Sequence, residues 1–198
     1  MAAFNVLLCV AHTSDAPGAT TPAGVTEHAF STRACSVAAT LLEAHDVKVK
    51  VVKGARSVKI AAANKKGAKW DCLVEPHFNA SESGMTRGYQ TIYAAGSLKG
   101  KLLARSLARA METGFKAIGY REARWIGPTE VPGPYVRHDD LPLITKTTPP
   151  ACITEYAFAT WPRDAVWIDK PDGADDYGKM VAAGILNYLV PIVGTNRS

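Results

Sequence analysis

The sequence predicts one α/β domain built on a mostly parallel sheet covered by helices on both faces. Three observations predict it. Strand-like and helix-like segments alternate from end to end, the order required when parallel strands are joined by helical crossovers. Several strand-like segments are continuous apolar runs, as in "AFNVLLCVA" (residues 3–11), which suits strands buried on both faces. The 198 residues suffice for one sizeable core, with no internal repeat, low-complexity tract or linker to divide them. A single domain over 1–198 is therefore expected.

"AFNVLLCVA" is the first strand. A loop rich in Gly, Pro and Thr (13–26) leads to "EHAFSTRACSVAATLLEAH" (27–45). There Phe30, Ala34, Val37, Leu41 and Ala44 recur at three- and four-residue steps, predicting an amphipathic helix that buries them. "DVKVKVVK" (46–53) alternates with period two, as a strand with one wet face does. "SVKIAAANKKGAK" (57–69) reads as a short helix with Ser57 as its N-cap. "WDCLVEPH" (70–77) and "TRGYQTIYAA" (86–95) are the next strands. Ser97 can cap "LKGKLLARSLARAMETGFKAIG" (98–119), in which Leu103, Leu107, Ala110 and Ile118 share a face. Residues 119–150 hold six of the 12 prolines and predict extended loop. "ACITEYAF" (151–158) is the last interior strand, and "GADDYGKMVAAGILNYLVPIV" (173–193) a closing helix.

Composition excludes several classes of function. Hydrophobic residues make up 47% and charged ones 21%, the balance of an ordinary globular protein. No apolar run approaches the roughly 20 residues that cross a bilayer, so no membrane partner is expected. Lys and Arg number 23 against 18 Asp and Glu, a net charge of +5. The basic residues are dispersed, with only "NKKGAK" and "RSLAR" as small clusters, whereas a nucleic-acid binder presents a denser stripe or a recognisable module. Nucleic acid is therefore not expected as a partner. The modest positive charge suits solubility, and equally an anionic polymer such as a cell wall.

Cys9, Cys35, Cys72 and Cys152 are isolated, without a C-x-x-C pair, so neither a zinc knuckle nor a disulfide framework is expected. They read as small core hydrophobes. The opening "MAAFNVLLCVAH" has no basic n-region and reads as a strand, not a signal peptide, which predicts synthesis in the cytoplasm. The chain is expected to be a monomer.

Ligands of open α/β sheets bind outside the carboxyl ends of the strands. His12 ends the first strand, and His77 ends "DCLVEP". Glu155 lies towards the exit of the last strand, and Glu27 opens the first long helix. Two histidines and a carboxylate form a common catalytic zinc set with a fourth position left for water. A second carboxylate can then move the protons. Each residue also has a structural alternative: Glu27 could complement a helix N-terminus, and His12 could cap a strand. Glu155 is harder to explain structurally, because a carboxylate in an apolar strand costs several kcal/mol unless paired or functional. His28 and Glu75 are rival ligands. His45 and His138 are too remote or too loop-borne to prefer.

The ordered set "VLLCVAH", "GVTEHAF", "EPHFNAS", "RGYQTIY" and "LPLITKTTPPACITEYAF" resembles the zinc-dependent N-acetylmuramoyl-L-alanine amidases, typified by bacterial autolysins and phage endolysins. "PHFNAS" is the most specific piece, and Pro150 stands five residues before Glu155 as in the family's Pro-x-x-x-x-Glu segment. The resemblance implies one Zn2+ per chain held by His12, Glu27 and His77, with Glu155 as catalytic acid/base. It implies hydrolysis of the amide between N-acetylmuramic acid and the L-alanine of the stem peptide, with peptidoglycan as partner. Asn79 and Ala80 shape the turn behind His77, with Asn79 a candidate for hydrogen bonds around the ligands. The stretch 121–150, with Trp125, Tyr135 and Arg137, is either a wall of the substrate groove or a proline-stiffened surface loop. The family's glycines around the first ligand are missing from "CVAHTSDAPGA", which leaves the first loop's shape open. The chain is expected to be a catalytic domain without a separate wall-binding domain. Release as a phage lysin or carriage on a virion would bring it to the wall. Two other activities fit the same residues: hydrolysis of a small N-acyl amino acid by zinc, and wall binding without catalysis.

Overall fold

Val6 to Cys9 are all fully buried, so β1 (Asn5–Cys9) has no wet face, and it lies inside a sheet. The remaining strands are β2 (Lys48–Val52), β3 (Cys72–Asn79), β4 (Gln90–Ala94), β5 (Val136–Asp139) and β6 (Ala151–Phe158). The helices are α1 (Glu27–Glu43), α2 (Arg56–Ala63), α3 (Leu98–Ala117), α4 (Pro142–Thr145), α5 (Pro162–Ile168) and α6 (Gly173–Gly194). The computed structural model describes residues 4–82, 86–120 and 136–194.

The six strands lie in the order β2-β1-β3-β6-β4-β5. β1 pairs in parallel with β2 and β3, β3 with β6, and β4 with β5. The one antiparallel junction is β4 on β6. The sheet is thus mostly parallel, as expected. α1, α3 and α6 cover one face with a large core that includes Val6, Leu8, Val74, Cys152 and Tyr156. α2 and α4 cover the other with Leu7, Leu73, Ile92, Ile144 and Ile153. Alternate residues of each strand feed opposite cores. Glu75 and His77 therefore share the face of Leu73, and Glu155 that of Ile153.

Four expectations need correction. α1 buries Glu27, Phe30, Ser31, Ala34, Cys35, Ala38 and Leu42, while Ala44 is exposed and Val37 and Leu41 are half-buried. Apolar periodicity found Phe30 and Ala34 but not the whole buried stripe, because Glu27 and Ser31, both polar, also take inward positions and bond there. α2 starts two residues earlier, with Ala55 as N-cap and no side-chain cap bond from Ser57, and it ends at Ala63. The proline-rich stretch is not all loop: β5 and α4 form within it, α4 with Pro142 in its first turn, where the missing N–H has no helical partner to lose. α5 also starts on a proline, Pro162, and was not anticipated.

Candidate metal centre

Three segments deliver side chains to the carboxyl edge of β1 and β3. β1 ends just before His12, whose backbone takes the left-handed conformation (φ 57), unusual for a residue with a side chain. The chain then loops through Gly18 (φ 79) and returns to α1. Thr26 caps that helix by accepting from the Ala29 N–H at 3.3 Å, and places Glu27 at its first position. The Glu27 N–H donates to the Ala19 carbonyl at 2.9 Å, and the Ala19 N–H donates to Glu27 Oε2 at 3.1 Å. One helical turn on, Ser31 accepts from the Ala11 N–H (2.8 Å) and donates to the Pro76 carbonyl (2.6 Å). Ala11 and Pro76 immediately precede His12 and His77. One buried hydroxyl therefore ties both histidine-bearing strand ends to the helix that carries Glu27.

The result is a tight cluster. His12 Nε2 lies 3.0 Å from Glu27 Oε2, and His77 Nδ1 lies 2.6 Å from Glu27 Oε1. The imidazole rings meet edge to face with centroids 5.2 Å apart. Among the described residues, His12, Glu27 and His77 form the one group of at least three such side chains whose donor atoms all lie within 4.8 Å of one another. The Glu27 side chain is 6% exposed and that of His77 15%, while His12, at 35%, opens the cluster to solvent. Burial pushes the Glu27 carboxyl up, but hydrogen bonds to His12 and His77 and their charges outweigh burial and hold it at about 2. Burial pushes the His77 imidazole down, and the carboxylates of Glu75 and Glu27 outweigh that and hold it well above its usual range.

Glu155 stands beside this group. Its Cα is the register partner of His77 across the parallel β3–β6 pair, and Gln90 faces it from the other side, on β4. It is half-buried, and its charge is among those that raise the His77 imidazole.

The rival ligands point elsewhere. His28 Nδ1 lies 2.9 Å from the Ala11 carbonyl, and His45 Nδ1 2.9 Å from that of Leu41. Glu75 touches His77 from the far side, with Oε2 2.8 Å from Nε2, and its Oε1 takes Lys59 Nζ at 2.6 Å. Asn79 Oδ1 accepts from the Ala80 N–H at 2.9 Å, which is turn chemistry. Trp125, Tyr135 and the side chains of Arg137 and His138 lie outside the described residues. All four cysteines are buried and free, and burial raises each thiol, that of Cys35 to about 12.

Periodicity and strand-end reasoning missed Gly18 and Ser31. A Cβ at Gly18 would lie 2.5 Å from Glu27 Oε2 and 2.7 Å from His12 Nε2, so the loop closes on the cluster with bare backbone. Glycines flanking His12 are thus not needed: His12 itself takes the left-handed turn, and Gly18 supplies the close approach. Ser31 had one visible signal, its place a helical turn after Glu27.

Two imidazoles and one carboxylate at the carboxyl edge of an α/β sheet make a candidate metal site. The model of the N-acetylmuramoyl-L-alanine amidase family matches residues 6–187, and the chain belongs to that family of enzymes. Among solved structures it is similar to the N-acetylmuramoyl-L-alanine amidase AmiC2 of Nostoc punctiforme, with TM-score 0.77, 18% identity, and 94% of this chain and 97% of that one covered. It is similar to the amidase Ami1 from Mycobacterium smegmatis, with TM-score 0.77, 16% identity and coverage of 95% and 97%. It is also similar to the catalytic domain of the CD27L endolysin targeting Clostridia difficile, with TM-score 0.72, 22% identity and coverage of 93% and 97%. At these identities the likeness is one of fold. Comparison with curated proteins gave no match.

Proposed function

We propose that this chain cleaves the amide between N-acetylmuramic acid and the L-alanine of the peptidoglycan stem peptide, with His12, Glu27 and His77 holding one Zn2+ and Glu155 moving protons. The observation that carries the reading is the convergence of His12 Nε2, His77 Nδ1 and the Glu27 carboxylate within 4.8 Å. The donor set suits zinc, which takes imidazole nitrogen and carboxylate oxygen and keeps one position open when catalytic. The bare backbone of Gly18 fits too, since a side chain there would fill the space against His12 and Glu27. When bound, zinc supplies a Lewis acid for the amide carbonyl and lowers the pKa of water.

The remaining chemistry belongs to the chain. Glu27 stays ionised, because two imidazoles face its carboxylate. Ser31 holds the ends of β1 and β3, so the two histidines keep their separation. Glu155 accepts a proton from the attacking water and hands it to the departing alanine nitrogen. That second transfer is needed, since an amine anion does not leave unaided. Activity of this kind on intact walls is bacteriolytic, as expected of an endolysin.

The test is digestion of purified peptidoglycan with and without chelator. The expected result is metal-dependent release of new N-terminal L-alanine, with loss of wall turbidity. Cleavage of small N-acyl amino acids alone, or wall binding without new termini, would sink the reading.

A further inference from the structure

Glu75 and Lys59 form a buried ion pair that amide hydrolysis as described does not use. Glu75 is on β3 two residues before His77, and Lys59 is on α2, which covers that face. Their side chains are 8% and 4% exposed, with Lys59 Nζ 2.6 Å from Glu75 Oε1. The second carboxylate oxygen lies 2.8 Å from His77 Nε2. Stability does not explain the arrangement, because well-packed apolar residues of similar volume usually do as well as a buried ion pair or better. Nor is Glu75 placed as a ligand beside Glu27. The two nitrogens of an imidazole diverge, and Glu27 already faces Nδ1 at 2.6 Å.

We infer that Glu75, itself held by Lys59, is a positioning residue that selects which nitrogen of His77 faces the metal cluster. A carboxylate accepts only, so once Nδ1 is given to an ion Glu75 accepts from the Nε2–H that remains and holds the ring with Nδ1 towards the cluster. The same contact fixes the ring's rotation and makes Nδ1 a stronger donor, as carboxylates behind metal-bound histidines do. Lys59 has two consequences. It anchors the Glu75 carboxylate at a set height above the sheet, and it offsets the negative charge that Glu75 adds beside Glu27. His12, which offers Nε2, has the opposite ring orientation, so the two histidines are presented to the cluster through different nitrogens.

The inference rests on the reading of His77 as a ligand, and the experiment separates the two. Removing Glu75 alone strands a buried lysine and risks misfolding, so the comparison uses an apolar partner at position 59. Lys59→Met/Glu75→Gln keeps an acceptor for Nε2–H, and Lys59→Met/Glu75→Leu removes it. Two quantities are measured on wild type and both variants: zinc affinity by competition with a chromogenic chelator, and, by 15N NMR, which His77 nitrogen carries the proton in zinc-loaded protein. The His77 signals are those missing in His77→Ala, among five histidines. The expected result is Nε2–H in zinc-loaded wild type and in the Gln variant. The Leu variant should fold, bind zinc about 10- to 100-fold more weakly, and in the zinc-loaded protein show part of His77 turned over with its proton on Nδ1. Wild-type affinity and an unchanged tautomer in the Leu variant would overturn the proposal while leaving the zinc site intact. Wild-type affinity in His77→Ala would instead overturn the ligand reading, and the proposal with it.

Discussion

His77 and Glu155 are register partners on adjacent parallel strands, so the imidazole nearest Glu27 and the half-buried carboxylate of β6 share one face of the sheet. That adjacency gives Glu155 access to the cluster without membership of it: the three-residue group comprises His12, Glu27 and His77. Glu155→Gln keeps the shape and removes the base. Release of N-terminal L-alanine should fall about 10²–10⁴-fold, while zinc content stays near wild type. Wild-type cleavage would make Glu155 structural, and loss of zinc would make it a ligand.

Metal content tests the cluster directly. If the three side chains hold the ion as proposed, the purified protein should carry about one zinc per chain. His77→Ala should lose most of it, since Nδ1 is the imidazole atom closest to Glu27. Full occupancy by elemental analysis in that variant would remove His77 from the ligand set.

Gly18 offers a test of the loop. Gly18→Ala adds a Cβ 2.5 Å from Glu27 Oε2, at a φ of +79 where a side chain costs about 1–2 kcal/mol. Zinc affinity should drop at least about tenfold, with the circular dichroism spectrum unchanged. Gly24→Ala is the control. Its φ is +90, but no atom lies within 4 Å of its added Cβ, so strain without contact should leave zinc binding alone. Equal losses in both would show that backbone strain, not the approach to Glu27, decides the effect.

Asp164 predicts a pH dependence of stability. This buried carboxyl accepts from the N–H groups of Gly88 (2.8 Å) and Phe158 (2.9 Å) and from the Tyr120 hydroxyl, joining β4's approach, the end of β6 and the exit of α3. Burial outweighs these bonds and raises its pKa from 3.8 to about 6. The folded state then binds the proton more tightly than the unfolded one. Its contribution is most favourable below pH 4 and declines as pH rises to about 6, by about 3 kcal/mol in all, then levels. Urea unfolding at successive pH values should show that decline in wild type minus Asp164→Asn. A flat difference would mean that the hydrogen bonds cancel the cost of burial.

The four cysteines should react slowly with iodoacetamide in the native protein and fully in urea, because all are buried and their thiols are held protonated. Activity should survive native treatment. Rapid modification accompanied by zinc release would place a thiol at the metal.

Local pattern determined a good deal of this protein. The apolar runs of β1, β3 and β6 and the spacing of Leu103, Leu107 and Ala110 are burial written along the chain, and they specify an α/β sheet covered on both faces. Strand-end positions likewise singled out His12, His77 and Glu155, since a histidine or glutamate closing an apolar run must face either a partner or a ligand. Tertiary structure alone decided the rest. That β4 runs antiparallel to β6 depends on pairing across about sixty residues, which no local period encodes. That Ser31 joins the buried stripe of α1, bonding to Ala11 and Pro76, is a polar contact invisible to a hydrophobic count. The same holds for His77: the sequence marks the residue, but Glu27 on one nitrogen and the Lys59–Glu75 pair on the other arrive from separate helices and a neighbouring strand position. An imidazole has two chemically similar nitrogens, and only packing in three dimensions can tell them apart.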